Sequence, residues 1–179
     1  MQEISIHDKK FGPFLSEEKI QQSILLLAER IKKDYEGKRP VFVVVLNGAF
    51  IFASELFKNY GGEAEISFIK VSSYEGTGTT GTVKEILGFD ESLKGKDLLL
   101  VEDIVDTGIT LEKLLEKAKE LQPASLKTAS LLFKPMACIK PVKPDYIGFE
   151  VANDFLVGFG LDYNGLGRNL KSIYKLSTP

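Results

Sequence analysis

Asp97-Leu98-Leu99-Leu100-Val101-Glu102-Asp103-Ile104-Val105-Asp106-Thr107-Gly108-Ile109-Thr110 is apolar from Leu98 to Val101, turns acidic, and then carries Asp-Thr-Gly into a stretch with Leu111, Leu114, Leu115, Ala118 and Leu121 along one helical face. The first part predicts a strand, Asp97 to Glu102, buried on both faces as in a parallel sheet. The last part predicts a helix. Three carboxylates therefore meet one helix N-terminus. Backbone N–H groups from Asp106 to Thr110, with the hydroxyls of Thr107 and Thr110, can form a concave anion site aided by the helix dipole. Gly108 lets the backbone come close to that anion.

Outward from this stretch the same alternation repeats. Ile20, Ile24, Leu27 and Ile31 predict an amphipathic helix over Ser16 to Tyr35, with Ser16 as its cap. Val41 to Leu46 is continuously apolar and β-branched, a second buried strand. Asn47-Gly48 turns it into a helix from Ala49 to Tyr60. Further strands are predicted at Ala64 to Val71, Lys127 to Phe133, Tyr146 to Glu150 and Leu156 to Phe159. Pro135 to Pro144, with three prolines, reads as a loop. The pattern implies an α/β fold with a mostly parallel central sheet flanked by helices. In such sheets ligands bind beyond the carboxyl ends of the strands.

The chain has 179 residues and 44% hydrophobic content, which predicts one domain spanning 1–179. A net charge of -2 and a pI near 5.6, with scattered basic residues, give no footprint for nucleic acid. The polar stretch Met1 to Lys10 and the absence of a long apolar run point to the cytoplasm and away from a membrane. Cys138 is the only cysteine and His7, near a terminus expected to be mobile, the only histidine, so Ser-His-Asp and Cys-His mechanisms are disfavoured. Cys138 reads as a small packing residue.

Acids beside a phosphate cradle would repel the ligand unless they serve other groups on it. A ribose 5-phosphate has such groups: its hydroxyls suit Glu102 and Asp103, directly or through Mg²⁺, while the loop holds the phosphate. Asp106 is left to meet a base. Helix capping by Asp106 and Thr107 would explain either residue alone, but not two acids ending a buried strand together.

The run Val101 to Thr110 resembles the phosphoribosyl pyrophosphate signature of the type I phosphoribosyltransferases. From Val41 to Arg168 the chain resembles the hypoxanthine (hypoxanthine-guanine) branch of that family. The resemblance implies purine salvage: transfer of the 5-phosphoribosyl group from phosphoribosyl pyrophosphate to hypoxanthine or guanine, giving IMP or GMP and pyrophosphate. It implies Asp106 as the acid/base residue, Glu102, Asp103, Thr107, Gly108 and Thr110 around the ribose phosphate, and Mg²⁺ held by Glu102, Asp103 and Asp162. Leu46-Asn47-Gly48 resembles the pyrophosphate loop, a candidate for a cis Leu46–Asn47 bond, and Arg168 matches a further pyrophosphate contact. Lys134 resembles the lysine that meets the purine O6, and Phe155-Leu156 the pair that stacks on the base and reads its edge. Ser73-Tyr74, followed by Glu75 to Gly81, resembles the lid over the site. A small hood built from the chain termini and a homodimer or homotetramer are also implied.

Taken singly, Lys134 reads equally as a strand-end surface charge, Phe155 as core and Arg168 as a solvated residue; their joint order favours function. Gly76, Gly78 and Gly81 also match a dinucleotide-binding G-x-G-x-x-G. Thr82 to Lys96 lacks the apolar face of a crossover helix, so a lid or hairpin fits better. Two other readings stay open: a phosphoribosyltransferase for another base, such as xanthine or a pyrimidine, and a sensor that binds the sugar phosphate without catalysis.

Overall fold

The computed structural model describes residues 2–73 and 83–177. In chain order β1 (Ile4–Ile6) and β2 (Lys9–Leu15) form a hairpin that leads into α1 (Glu17–Asp34), β3 (Val41–Leu46) and α2 (Phe50–Tyr60). β4 (Glu65–Ser73), β5 (Val83–Leu87), β6 (Asp97–Val105), α3 (Ile109–Glu120) and β7 (Ser125–Phe133) follow, then β8 (Tyr146–Glu150), β9 (Leu156–Val157) and β10 (Ile173–Leu176).

The central sheet has six strands in the order β5-β4-β3-β6-β7-β8. All neighbours pair parallel except β5, which runs antiparallel to β4. Strand alternation divides the apolar runs between two faces. Phe42, Val44, Leu99, Val101 and Leu131 pack against Ile20, Ile24, Leu27 and Ile31 of α1 and Phe52 and Leu56 of α2. Val41, Val43, Val45, Leu98 and Leu100 pack on the other face against Leu111 and Leu114 of α3. Full burial of each such side chain contributes about 1.5–3 kcal/mol, so the sheet is a firm platform for the loops at its ends. α1 begins as predicted: the Ser16 hydroxyl accepts the Lys19 N–H at 3.4 Å, with Glu17 and Glu18 in the first turn.

Three expectations change. The terminus around His7 is not loose: Phe11 is fully buried, and β2 is paired on both sides, to β1 and to β10. Both chain ends thereby enter a second, antiparallel sheet of order β1-β2-β10-β9. The acidic strand β6 runs on to Val105 rather than ending at Glu102, because Ile104 and Val105 pair with Leu132 and Phe133 of β7. Leu156 to Phe159 forms only the two-residue β9. Gly76, Gly78 and Gly81 lie outside the described residues; Val83–Leu87, just after them, is the strand β5. Among the described residues no helix is long and apolar enough to cross a membrane.

Candidate active site

The carboxyl ends of β3, β6 and β7, adjacent in the sheet, carry Asn47-Gly48, Glu102-Asp103-Asp106 and Lys134. Glu102 lies within β6 and is 7% exposed. Burial lifts its carboxyl well above the ordinary range, and the charge of Asp103 adds to the effect. Burial also pushes Asp103 up, to about 6; the Ile104 N–H, donating to its Oδ1 at 2.9 Å, and the nearby Arg168 oppose that rise. Asp103 is pressed against Gly48, where an added Cβ would overlap its carboxylate. Burial thus makes ionisation of both acids costly in the empty site.

Beyond Val105 the chain turns through Asp106, Thr107 and Gly108 into α3. Gly108 has φ +80, which places the cap of α3 in the left-handed region where glycine is favoured. The Thr107 hydroxyl accepts the Ile109 N–H at 3.4 Å. Glu102, Asp106, Thr107, Gly108 and Thr110 line a hollow of about 90 Å³. An adjoining hollow of about 200 Å³ is lined by Leu46, Gly48, Glu102, Asp103 and Thr110. Behind the turn the Ile139 N–H donates to the Thr107 carbonyl at 3.0 Å, and Cys138 and Val142 crowd Gly108 so closely that a Cβ there would lie 2.8 Å from Cys138 Sγ. Cys138 is thus the packing residue expected of it.

Lys134 reaches Asp106 from the neighbouring strand. Val105 and Phe133 are register partners, so the residues that follow them leave the sheet side by side. Lys134 Nζ lies 2.7 Å from Asp106 Oδ2; the lysine side chain is 8% exposed and the aspartate 45%. A buried cation is thereby fixed beside an open carboxylate.

Leu46–Asn47 is a cis peptide bond. Gly160 closes on the same loop, its absent Cβ marking a point 2.1 Å from the Gly48 carbonyl oxygen. Arg168 pairs with Asp162 at 2.6 Å and donates to the Gly160 carbonyl at 2.7 Å. Asp162 also accepts the Gly165 N–H at 2.7 Å. Among the described residues no three acidic, histidine or cysteine side chains form a metal cluster, so Glu102, Asp103 and Asp162 do not close into a cage by themselves. Leu156 is buried in the core while Phe155 is 44% exposed, packed by Phe11 and Tyr163. Ser73 ends β4; Tyr74 and the rest of the expected lid lie outside the described residues. A larger hollow, about 800 Å³, opens at the opposite end of the sheet, but its Arg39 pairs with Glu63 there and its Lys38 with nearby Asp97.

Residues 14–164 match the phosphoribosyl transferase domain family. The hypoxanthine-guanine phosphoribosyltransferase of Lactococcus lactis is 46% identical over 157 residues, 87% of this chain and 85% of that protein. That of Aquifex aeolicus is 38% identical over 171 residues, 94% of this chain and 96% of that protein. The chain belongs to the hypoxanthine-guanine phosphoribosyltransferase family. A crystal structure of a family member from Bacillus anthracis superposes with a TM-score of 0.87 at 37% identity, covering 93% of this chain and 96% of that one.

Two residues of this hypoxanthine-guanine phosphoribosyltransferase family member went unread in the sequence. Gly160 carries no signal of its own, since only the fold shows that its Cα abuts the Gly48 carbonyl. Tyr163 could have been noticed as the aromatic next to Asp162, but its contact with Phe155 depends on the second sheet.

Proposed function

We propose that this chain transfers the 5-phosphoribosyl group of phosphoribosyl pyrophosphate to hypoxanthine or guanine, releasing pyrophosphate and forming IMP or GMP. The observation that carries this reading is the Lys134–Asp106 pair at 2.7 Å, set beside a phosphate-sized turn at a helix N-terminus. It offers a donor and an acceptor side by side, which suits the adjacent O6 and N7 of a 6-oxopurine. Lys134 donates to O6, and Asp106 takes the proton on N7 as N9 attacks C1 of the sugar. An adenine amine would face the same cation without a lone pair to offer, so the pair discriminates against it.

The remaining roles follow the placement of the residues. N–H groups from Asp106 to Thr110, with the Thr107 and Thr110 hydroxyls, hold the 5-phosphate. Glu102 and Asp103 accept from the ribose hydroxyls. Asn47, Gly48 and Arg168 hold pyrophosphate, Phe155 stacks on the base, and the Leu156 backbone reads its edge. Ser73 and Tyr74 belong to the lid that excludes water from the activated sugar.

Mg²⁺ fits this donor set. Burial raises the proton affinity of both carboxyls, which Arg168 offsets only in part and only at Asp103, and Mg²⁺ typically takes one or two carboxylates and completes its shell from substrate phosphates. Glu102 and Asp103 would hold it, with Asp162 joining once freed from Arg168. When bound, the ion supplies neutralisation of the departing pyrophosphate charge.

In this reading residues 1–179 form one phosphoribosyltransferase domain, acting in the cytoplasm without nucleic acid or membrane as partner, and the sheet built from the chain ends serves as a hood. Leu25 and Leu26, 48% and 56% exposed on α1, suit a homodimer or homotetramer. The test is pyrophosphate release from phosphoribosyl pyrophosphate and Mg²⁺ with hypoxanthine, guanine, xanthine, adenine or uracil supplied singly. Release with 6-oxopurines alone is expected. Release with uracil or adenine alone overturns the base assignment, and none with any base favours a sensor.

A further inference from the structure

Phe155 leaves 44% of its surface open, yet a stacking platform must hold its plane before the base arrives. Its support comes from the far end of the chain. The Tyr163 ring meets it edge-on, centroids 5.7 Å apart at 87°, and Phe11 packs at 6.2 Å. Lys9 Nζ lies 4.7 Å from the Tyr163 centroid and 5.7 Å from that of Phe155, within the range of a cation–π attraction for both. Lys9 and Phe11 stand two apart on β2, so alternation turns both to the same face. The charge of Lys9 is felt by the neighbouring Asp8 carboxylate, which the Tyr163 hydroxyl holds, and its ammonium lies over the two rings.

The turn before Lys9 is latched to the same tyrosine. The Tyr163 hydroxyl donates to Asp8 Oδ1 at 2.8 Å, the His7 ring meets the Tyr163 ring edge-on at 5.7 Å, and His7 Nε2 lies 3.3 Å from the Asn164 carbonyl oxygen. Tyr163 directly follows Asp162. One aromatic side chain, next in sequence to the acid paired to Arg168, thus joins the N-terminal hairpin to the stacking ring.

We propose that Lys9, acting through Tyr163 and Phe155, is a positioning residue for the purine base: its cation clamps the two rings and holds Phe155 ready to stack. The proposal rests on the transferase reading above. It predicts an effect on base binding and none on sugar-phosphate binding or on chemistry, because Lys9 is tied to the rings rather than to the acidic strand.

The experiment compares wild type, Lys9→Met and Lys9→Arg in the full chain by steady-state kinetics, with thermal melting as a control. Methionine keeps the length of the stem and removes the charge. Lys9→Met should raise KM for hypoxanthine about three- to tenfold, as loss of one cation–π clamp would. kcat and KM for phosphoribosyl pyrophosphate should stay within about twofold, and Lys9→Arg should restore the wild-type KM because guanidinium also stacks on aromatic faces. An active wild type with an unchanged hypoxanthine KM in Lys9→Met overturns the positioning role alone. Equal loss in both kcat and KM, or failure of arginine to rescue, reduces Lys9 to a structural residue. A wild type without hypoxanthine-dependent release overturns the transferase reading and this proposal with it.

Discussion

Asp103→Asn should make the protein more stable at neutral pH while impairing its activity. The native fold binds the Asp103 proton more tightly than the unfolded chain does, since burial lifts the carboxyl from 3.8 to about 6. Between those values the native state holds more protons than the unfolded state, so stability falls as pH rises through the window, and the loss is complete above it. At full value the shift corresponds to about 3 kcal/mol. Solvent reaching the partly open carboxyl screens this to about 1–2 kcal/mol.

Asparagine never ionises, and its Oδ1 can keep the Ile104 N–H that Asp103 accepts at 2.9 Å. Its gain over wild type should therefore be small near pH 4, grow to pH 6 and then level off. Loss of the Asp103 charge also lowers the proton affinity of Glu102, which adds to the gain with the same sign. Urea unfolding of both proteins at pH 4, 5, 6 and 7.5 measures the difference directly, and other titrating groups cancel between them. Mg²⁺ with phosphoribosyl pyrophosphate should stabilise wild type more than the variant. A stability difference that is flat from pH 4 to 7.5 would refute the picture of Asp103 as a buried, incompletely compensated acid.

Asp106→Asn should lower kcat by about a hundred- to ten-thousandfold, with a modest loss of stability because buried Lys134 keeps an amide acceptor but loses its counter-charge; near-normal turnover removes it from the acid/base role. Lys134→Ala should raise KM for hypoxanthine and narrow the preference over adenine, measured as the ratio of kcat/KM; an unchanged ratio would show that O6 is read elsewhere. Gly160→Ala must move backbone, because its Cβ would lie 2.1 Å from the Gly48 carbonyl oxygen at φ +102, so a loss of at least about 2 kcal/mol is expected together with a raised KM for phosphoribosyl pyrophosphate. Wild-type stability in that variant would show that the two loops are not in contact.

The parallel sheet was legible because its strands are buried on both faces and so are apolar throughout: Val41 to Leu46 and Leu98 to Val101 cannot easily be anything else. The helix of Ser16 to Tyr35 was legible for the complementary reason, a single apolar stripe and a serine cap. The second sheet was not. Ile4–Ile6 is three residues long and Ile173–Leu176 four, too short for periodicity to show, and β2 carries Gly12 and Pro13, which argue against a strand until a partner on each side is seen. The end of β6 was misjudged because acidic residues look like a strand terminus. The register with β7 carries the pairing through them, and that is information about a partner rather than about the strand itself. For the site, Asp106 and Lys134 could be named from sequence, but their contact could not, since it depends on the pairing of Val105 with Phe133.

That extension of β6 bears on how the acids differ. Glu102 and Asp103 sit on a strand, enclosed by the sheet and by Gly48, and both are pushed toward their protonated forms. Asp106, three residues on, has left the sheet and meets a lysine and solvent. Carboxylates held in the first way destabilise the empty protein and gain most when a cation and ribose hydroxyls arrive, so substrate binding itself relieves the cost of keeping them there. A carboxylate held in the second way is cheap to maintain and open to an incoming base. Stability and activity should therefore move in opposite directions when Asp103 is neutralised, whereas neutralising Asp106 should lower activity and, by leaving buried Lys134 without its counter-charge, lower stability modestly as well. If instead Asp103→Asn also lost stability, that acid would be a structural partner of the strand end, and the division of labour between sugar binding and proton transfer would have to be redrawn.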